Sequence, residues 1–162
     1  MTAWHAIWTR SRHEHTVVGE LARRDVEAFL PTVARWSRWK DRKKRISWPL
    51  FPGYCFARFD NAALLTICKT PGVVSVVTFD GALAVVPDEQ IDSVRRLVHT
   101  DLLLDPCPLV REGSLVKVVS GPLAGMSGTL VRKGPQARLV IAVEAVGQAV
   151  SVQVDACDVR AL

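Results

Sequence analysis

Phe51-Pro52-Gly53-Tyr54-Cys55-Phe56-Ala57-Arg58-Phe59 places four aromatic rings within nine residues of a 162-residue chain in which Phe, Trp and Tyr make up only 7%. Read as a strand, the segment splits by parity: Cys55, Ala57 and Phe59 point one way, and Tyr54, Phe56 and Arg58 the other. The first set reads as a core face. The second leaves two aromatic rings facing away from that core, and what they touch decides both fold and function.

Upstream, residues 3–9 alternate loosely and read as a strand. Ser11 with Glu14 three residues on has the pattern of a capping box. The helix that follows puts Val17, Val18, Leu21 and Ala22 on one stripe and is expected to end near Arg23-Arg24, where positive charge complements the helix dipole. Residues 26–39 look extended, with an interruption at Pro31. The basic run makes a turn and residues 46–50 return, which predicts a long hairpin with a charged tip.

Downstream, residues 61–69 predict a short helix closed by Thr70-Pro71-Gly72. Residues 73–79 form a β-branched strand, with Asp80-Gly81 a turn into residues 83–86. Pro87-Asp88-Glu89-Gln90 opens a helix to about Val98, with proline and acids in its first turn. Strand, helix, strands, helix, strand is the order of an α+β sandwich whose helices cover one sheet face and leave the other open. Residues 99–112, centred on Asp105-Pro106-Cys107-Pro108, break the pattern and read as an inter-domain linker. Beyond it come four short strands (114–120, 128–132, 139–146 and 149–155). In the last, Val150, Val152 and Val154 alternate inward against Ser151, Gln153 and Asp155. Strands this frequent predict a small all-β barrel. The expected division is therefore 1–98, a linker over 99–112, and 113–162.

Composition narrows the function classes. An apolar fraction of 49% supplies a core, and no run approaches about 18 apolar residues, so no membrane helix is expected. The N-terminus lacks the regions of a signal peptide, and Cys55, Cys68, Cys107 and Cys157 are scattered without a Cys-x-x-Cys pair. Together these predict a cytoplasmic protein with reduced thiols. The net charge is +5, yet residues 35–45 alone carry +6 through Arg35, Arg38, Lys40, Arg42, Lys43, Lys44 and Arg45 against Asp41. All of the excess therefore sits in one segment, interleaved with Trp36, Trp39 and Trp48. Such a patch attracts polyanions, and its rings can stack on bases or pack on a partner.

Several of these segments together resemble one family. Trp4, Pro49-Leu50-Phe51-Pro52-Gly53-Tyr54-Cys55-Phe56, Thr70-Pro71-Gly72-Val73 and Val86-Pro87-Asp88-Glu89 recur in this order in the N-terminal domain of NusG-type transcription factors. Residues 116–128, Val-Lys-Val-Val-Ser-Gly-Pro-Leu-Ala-Gly-Met-Ser-Gly, are similar to the KOW motif that follows in that family. The Pro-Leu-Phe-Pro segment looks closest to operon-directed, RfaH-like paralogues. The resemblance implies a ferredoxin/RNP-like α+β sandwich followed by a small SH3-like KOW barrel. It also implies a transcription elongation/antitermination factor that binds RNA polymerase at the clamp helices of its largest subunit. The expected action is to suppress pausing or termination, operon-specifically, without cofactor or metal.

Carried onto this chain, the apolar depression for the clamp tip would have Trp8, Phe51, Pro52, Tyr54 and Phe56 as walls, with Thr70 near the opposite polymerase lobe. Non-template or upstream DNA would meet Arg10, Arg12 and Lys69, together with the hairpin tip Arg42, Lys43, Lys44 and Arg45. The KOW module would meet ribosomal protein S10, Rho or RNA. Where housekeeping factors show an aromatic followed by Gly-Arg, this chain has Val146-Gly147-Gln148, which puts Rho or ribosome binding in doubt. Its strands, rich in Val and Gly, favour a stable barrel over conversion to a helical hairpin.

Two other classes compete. Residues 52–59 come close to the RNP1 pattern of an RNA-recognition sheet that stacks bases on exposed aromatics, with Pro52 where Arg or Lys is wanted and Trp8 as a second platform. An enzyme has little support. His13 and His15 lie two apart on a helix and so diverge by about 200°, whereas ligands there prefer spacings of three or four. No nucleophile motif, phosphate loop or carboxylate dyad is present.

Overall fold

The computed structural model describes residues 2–39, 42–100, 102–109, 113–133 and 135–162, with the side chains of all of these except 35–39, 42–45 and 133. The chain divides into two compact units, Met1–Val86 and Pro87–Leu162. Its content is mixed helix and strand, mostly sheet.

In the first unit, β1 (Ala3–Thr9) leads into α1 (Glu14–Arg23), followed by β2 (Glu27–Phe29), β3 (Thr32–Trp39), β4 (Arg42–Pro49) and β5 (Tyr54–Phe59). A 3-10 turn over Asn61–Ala63, capped by the Asp60 carboxylate, runs into α2 (Leu64–Cys68). Four short strands close the unit: β6 (Val73–Val76), β7 (Thr78–Phe79), β8 (Ala82–Leu83) and β9 (Val85–Val86). The main sheet has the order β2-β5-β1-β6, all antiparallel, and β9 also pairs with β1. β3 and β4 pair as a separate two-stranded sheet in which Arg42, Lys43, Lys44 and Arg45, expected at the turn, are strand residues opposite Trp39, Arg38, Ser37 and Trp36. The return strand thus starts earlier than expected. β7 and β8 form a second such sheet. Asp80 and Gly81, both at positive φ, turn that smaller hairpin.

Strand parity places the core. Ile7, Cys55, Ala57 and Phe59 from β1 and β5 are buried with Val17 and Leu21 of α1 and Ile67 of α2. Full burial of a side chain such as Phe59 or Leu21 stabilises by about 1.5–3 kcal/mol. The other face was expected to be open, and over most of its length it is not. Trp4, Ala6, Phe56 and Val86 are buried there, along with Leu50 and Phe51. Phe56 packs edge-on to Phe51 with ring centres 6.3 Å apart and stacks with Phe29 at 6.2 Å. Alternation assigns a side chain to a face; it does not say whether other elements cover that face.

The start of α1 also differs from expectation. The helix begins at Glu14, and its cap residue His13 makes no side-chain capping bond. Instead, His13 Nδ1 donates to the Ser11 carbonyl at 2.9 Å. Glu14, Val17 and Leu21 share one helix face, so the phase that buries the two apolar residues buries Glu14 with them. A carboxylate turned inward cannot reach back to complete a capping box.

The second unit opens with α3 (Asp88–Val98), which has Asp88 and Glu89 in its first turn and Arg95 and Arg96 in its last, both complementing the dipole. Ile91, Val94 and Leu97 form its buried stripe. Then come β10 (Leu104–Pro108), β11 (Ser114–Val118), β12 (Ser127–Lys133), β13 (Gln136–Val143), β14 (Gln148–Val154) and β15 (Val159–Ala161). They form one antiparallel sheet in the order β10-β14-β13-β12-β11-β15. Among the described residues the end strands β10 and β15 do not pair with each other. α3 lies against β13, and the Arg96 guanidinium donates to the Pro122 carbonyl at 3.1 Å.

This division departs from the expected one at two places. Residues 87–98 group with the second unit, and the span 99–112 read as a linker contains β10, paired along its whole length with β14. Pro106 and Pro108 disguised that strand, because proline cannot donate to a ladder and is tolerated only with its nitrogen side on an open edge. The alternation in β14 is also incomplete, since Ser151 is buried beside Val150 and Val152. Arg138 explains it: its Nε donates to Ser151 Oγ at 3.1 Å and its Nη2 to Asp105 at 2.5 Å, which roofs the hydroxyl with a polar layer. Gly128 permits the close pairing of β12 and β13, since a Cβ there would stand 2.7 Å from the Val140 carbonyl oxygen.

Candidate functional site

The sequence candidates gather at the C-terminal end of β1. Thr9 N–H donates to the Gly53 carbonyl at 2.8 Å, and the next residue, Arg10, donates its N–H to the Gly72 carbonyl at 2.8 Å. These two bonds fasten the loop around residues 51–53 and the loop around residues 69–72 to opposite sides of one strand end. Gly72 makes the second bond possible. Its φ is +92°, and a Cβ there would come within 2.9 Å of Val17 Cγ2.

At this end the sheet surfaces. Trp8 and Tyr54 are direct partners across β1 and β5. Trp8 is 50% exposed, Tyr54 half-buried and Pro52 exposed. Phe51 and Phe56, expected as walls of the same depression, are 1% and 0% exposed and lie beneath the surface. Thr70 is also buried, with its hydroxyl donating to the Thr66 carbonyl at 2.8 Å, so it serves the end of α2. Phe51, Phe56 and Thr70, expected as contact residues, are thus buried beneath the exposed rings.

Arg10 and Arg12, on the turn from β1 into α1, and Lys69, on the fastened loop around 69–72, are exposed and have no ion pair among the described residues. Arg12 holds a positive φ of 64°, part of the sharp turn from β1 into α1. The side chains of Arg42, Lys43, Lys44 and Arg45, the expected charged tip, lie outside the described residues, as do Lys40 and Asp41 altogether. Trp48 at the base of the hairpin is about as exposed as Trp8 and was read only as part of the basic run. Among the described residues no group of three or more His, Cys, Asp or Glu is placed to hold a metal ion, and no helix is long and apolar enough to cross a membrane.

One end of this antiparallel sheet thus carries exposed rings beside exposed cations, over a buried aromatic floor. The profile of the family described as transcription termination factor NusG matches residues 2–95, more than half of the chain, and the chain belongs to that family. The Thermus thermophilus transcription termination/antitermination protein NusG is 29% identical over 177 residues, which cover 94% of each protein. The solved structure described as domain interaction in Thermotoga maritima NusG aligns over 99% of this chain and 97% of that one, at 20% identity and a TM-score of 0.59. That likeness is one of fold. The chain is thus a member of a family of transcription termination/antitermination factors with a NusG-like fold.

Proposed function

We propose that the first unit docks on RNA polymerase through Trp8, Pro52 and Tyr54, with the tip of the largest subunit's clamp helices as its target. Phe51 and Phe56 hold those residues from beneath. The observation that carries this reading is the gathering of exposed aromatic and basic groups at one end of β1. Large rigid rings bury area at low entropic cost, which is the usual make-up of a binding hot spot. Arg10, Arg12 and Lys69 stand beside them, where a phosphate backbone of non-template or upstream DNA would be met. The action needs no chemistry, only higher affinity for the elongating conformation of polymerase than for the paused one.

In this reading the second unit is the KOW module of a two-domain factor, with ribosomal protein S10, Rho or RNA as its partner classes. Val146 is buried, which leaves the loop at residues 146–148 without the exposed ring of housekeeping factors. Operon-restricted action has only residues 49–52 in its favour. The rival reading, bases stacked on an open aromatic sheet, needs Phe56 as a platform, and a ring with no exposed surface cannot stack on a base. Transcription in vitro with core polymerase on pause-containing templates tests the proposal. Shorter pauses with the intact chain, and no effect with a Trp8→Ala variant that still folds, support it. Pausing unchanged on every template refutes it.

A further inference from the structure

A cavity of about 510 Å³ lies in the first unit, away from the Trp8 end, with His5, Phe59, Asp60, Asn61, Leu83 and Val85 among its lining residues. None of its lining residues belongs to α1 or α2, although His5 shares the side of β1 that those helices cover at Ile7. The cavity is within the size range of small-molecule sites.

His5 is only 6% exposed. Its Nδ1 lies 3.0 Å from the Ala84 carbonyl oxygen. A carbonyl only accepts, so Nδ1 carries the hydrogen, and Nε2 of the neutral ring keeps its lone pair. Nε2 has no hydrogen-bond partner among the described residues. The ring is fixed by Phe59, whose centre is 4.6 Å away. Asp60 accepts from the Ala62 N–H at 3.1 Å through one oxygen, and the other has no bond among the described residues.

The cavity thus offers acceptors, one of them a carboxylate, against apolar walls from Phe59, Leu83 and Val85. No Lys or Arg is among the described residues that line it. That combination repels anions and selects a donor-rich cation. We propose that this cavity binds a small organic cation, with an amidinium or guanidinium head facing His5 Nε2 and Asp60 and an apolar body against the walls. The planar, forked donors of such a head match a carboxylate, and the hydrogen bonds formed are charge-assisted.

The test is an NMR titration of the full chain with benzamidine, following the His5 ring and the amides of residues 59–61 and 81–85. Benzoate, of similar shape and opposite charge, and zinc chloride form separate arms. Saturable benzamidine shifts at these residues are expected, with none from benzoate. Binding should weaken at least about tenfold in Asp60→Asn, which retains a capping side chain, and in His5→Phe, which retains the ring packing. No saturable response, equal binding of benzoate, shifts confined elsewhere, zinc displacing benzamidine at the same residues, or full affinity in both variants would each overturn the proposal. Should His5→Phe lose its fold by circular dichroism, Asp60→Asn alone decides.

Discussion

Trp8 and Tyr54 face each other across β1 and β5 at the point where one side of the sheet emerges from cover. Four residues earlier on the same strand face, Trp4 is 4% exposed, against 50% for Trp8. The same residue type is thus core at one end of a strand and surface at the other. Trp8→Ala should cost about 1 kcal/mol of stability or less and weaken polymerase binding by about 30-fold or more. Phe56→Ala should destabilise by about 3–5 kcal/mol, because it empties a closed site between Phe29 and Phe51. Urea unfolding and a polymerase pull-down on both variants check this. A large stability loss from Trp8→Ala would contradict its placement.

Arg10, Arg12 and Lys69 sit on loops whose backbone bonds do not involve their side chains. Their joint replacement by Gln, Asn and Gln should leave the fold intact, with Asn at position 12 because it tolerates positive φ. The slope of log affinity against log salt for nucleic acid should fall by about 2–3, since each neutralised phosphate contact contributes about 0.7–0.9. Fluorescence anisotropy across a salt series measures it. An unchanged slope would remove these residues from the nucleic-acid surface.

Two glycines should respond oppositely to alanine. Gly128→Ala puts a methyl group 2.7 Å from the Val140 carbonyl oxygen and 2.8 Å from Ile141 Cδ1, so β12 and β13 must separate. A loss of about 1–3 kcal/mol is expected. Gly19 lies within α1 with nothing within 4 Å of an added Cβ. Gly19→Ala should therefore stabilise the first unit by about 0.5–1 kcal/mol through helix propensity. Thermal melts of the two variants should move in opposite directions.

Burial, and secondarily the Glu14 carboxylate, push the Cys55 thiol up to about 12 from an ordinary 9.0. The folded chain then keeps this proton at pH values where the unfolded chain releases it. Its contribution to stability is complete below about pH 9 and is lost as pH rises toward 12. Denaturant midpoints should therefore fall across that interval, and Cys55→Ala should reduce the fall. Native alkylation should label the exposed Cys68 and Cys157 while sparing Cys55 until the chain unfolds.

Local chemistry made much of the fold legible in advance. The alternation at residues 54–59 placed the core of the first unit, and the acids after Pro87 marked the start of α3. The hairpin of β3 and β4 could be read from two extended runs, although its return strand starts earlier than expected. What escaped was tertiary. Nothing local states that Phe29 and Phe51 would close over Phe56, or that Arg138 would reach across to Asp105 and bury Ser151. The candidate site divides the same way. Trp8 and Tyr54 followed from parity, whereas the meeting of Arg10 with Gly72 depends on one backbone bond between residues distant in sequence.

β10 ends the six-stranded sheet, and Pro106 and Pro108 stand two residues apart on it. Residues so spaced share an orientation, so the outward border of the sheet lacks donors at consecutive positions along that side. A foreign extended segment arriving there finds no continuous template, which disfavours edge-to-edge pairing at this strand. The prolines that made the segment look like a tether thus act as a guard against aggregation on the side where this sheet would otherwise recruit a neighbour.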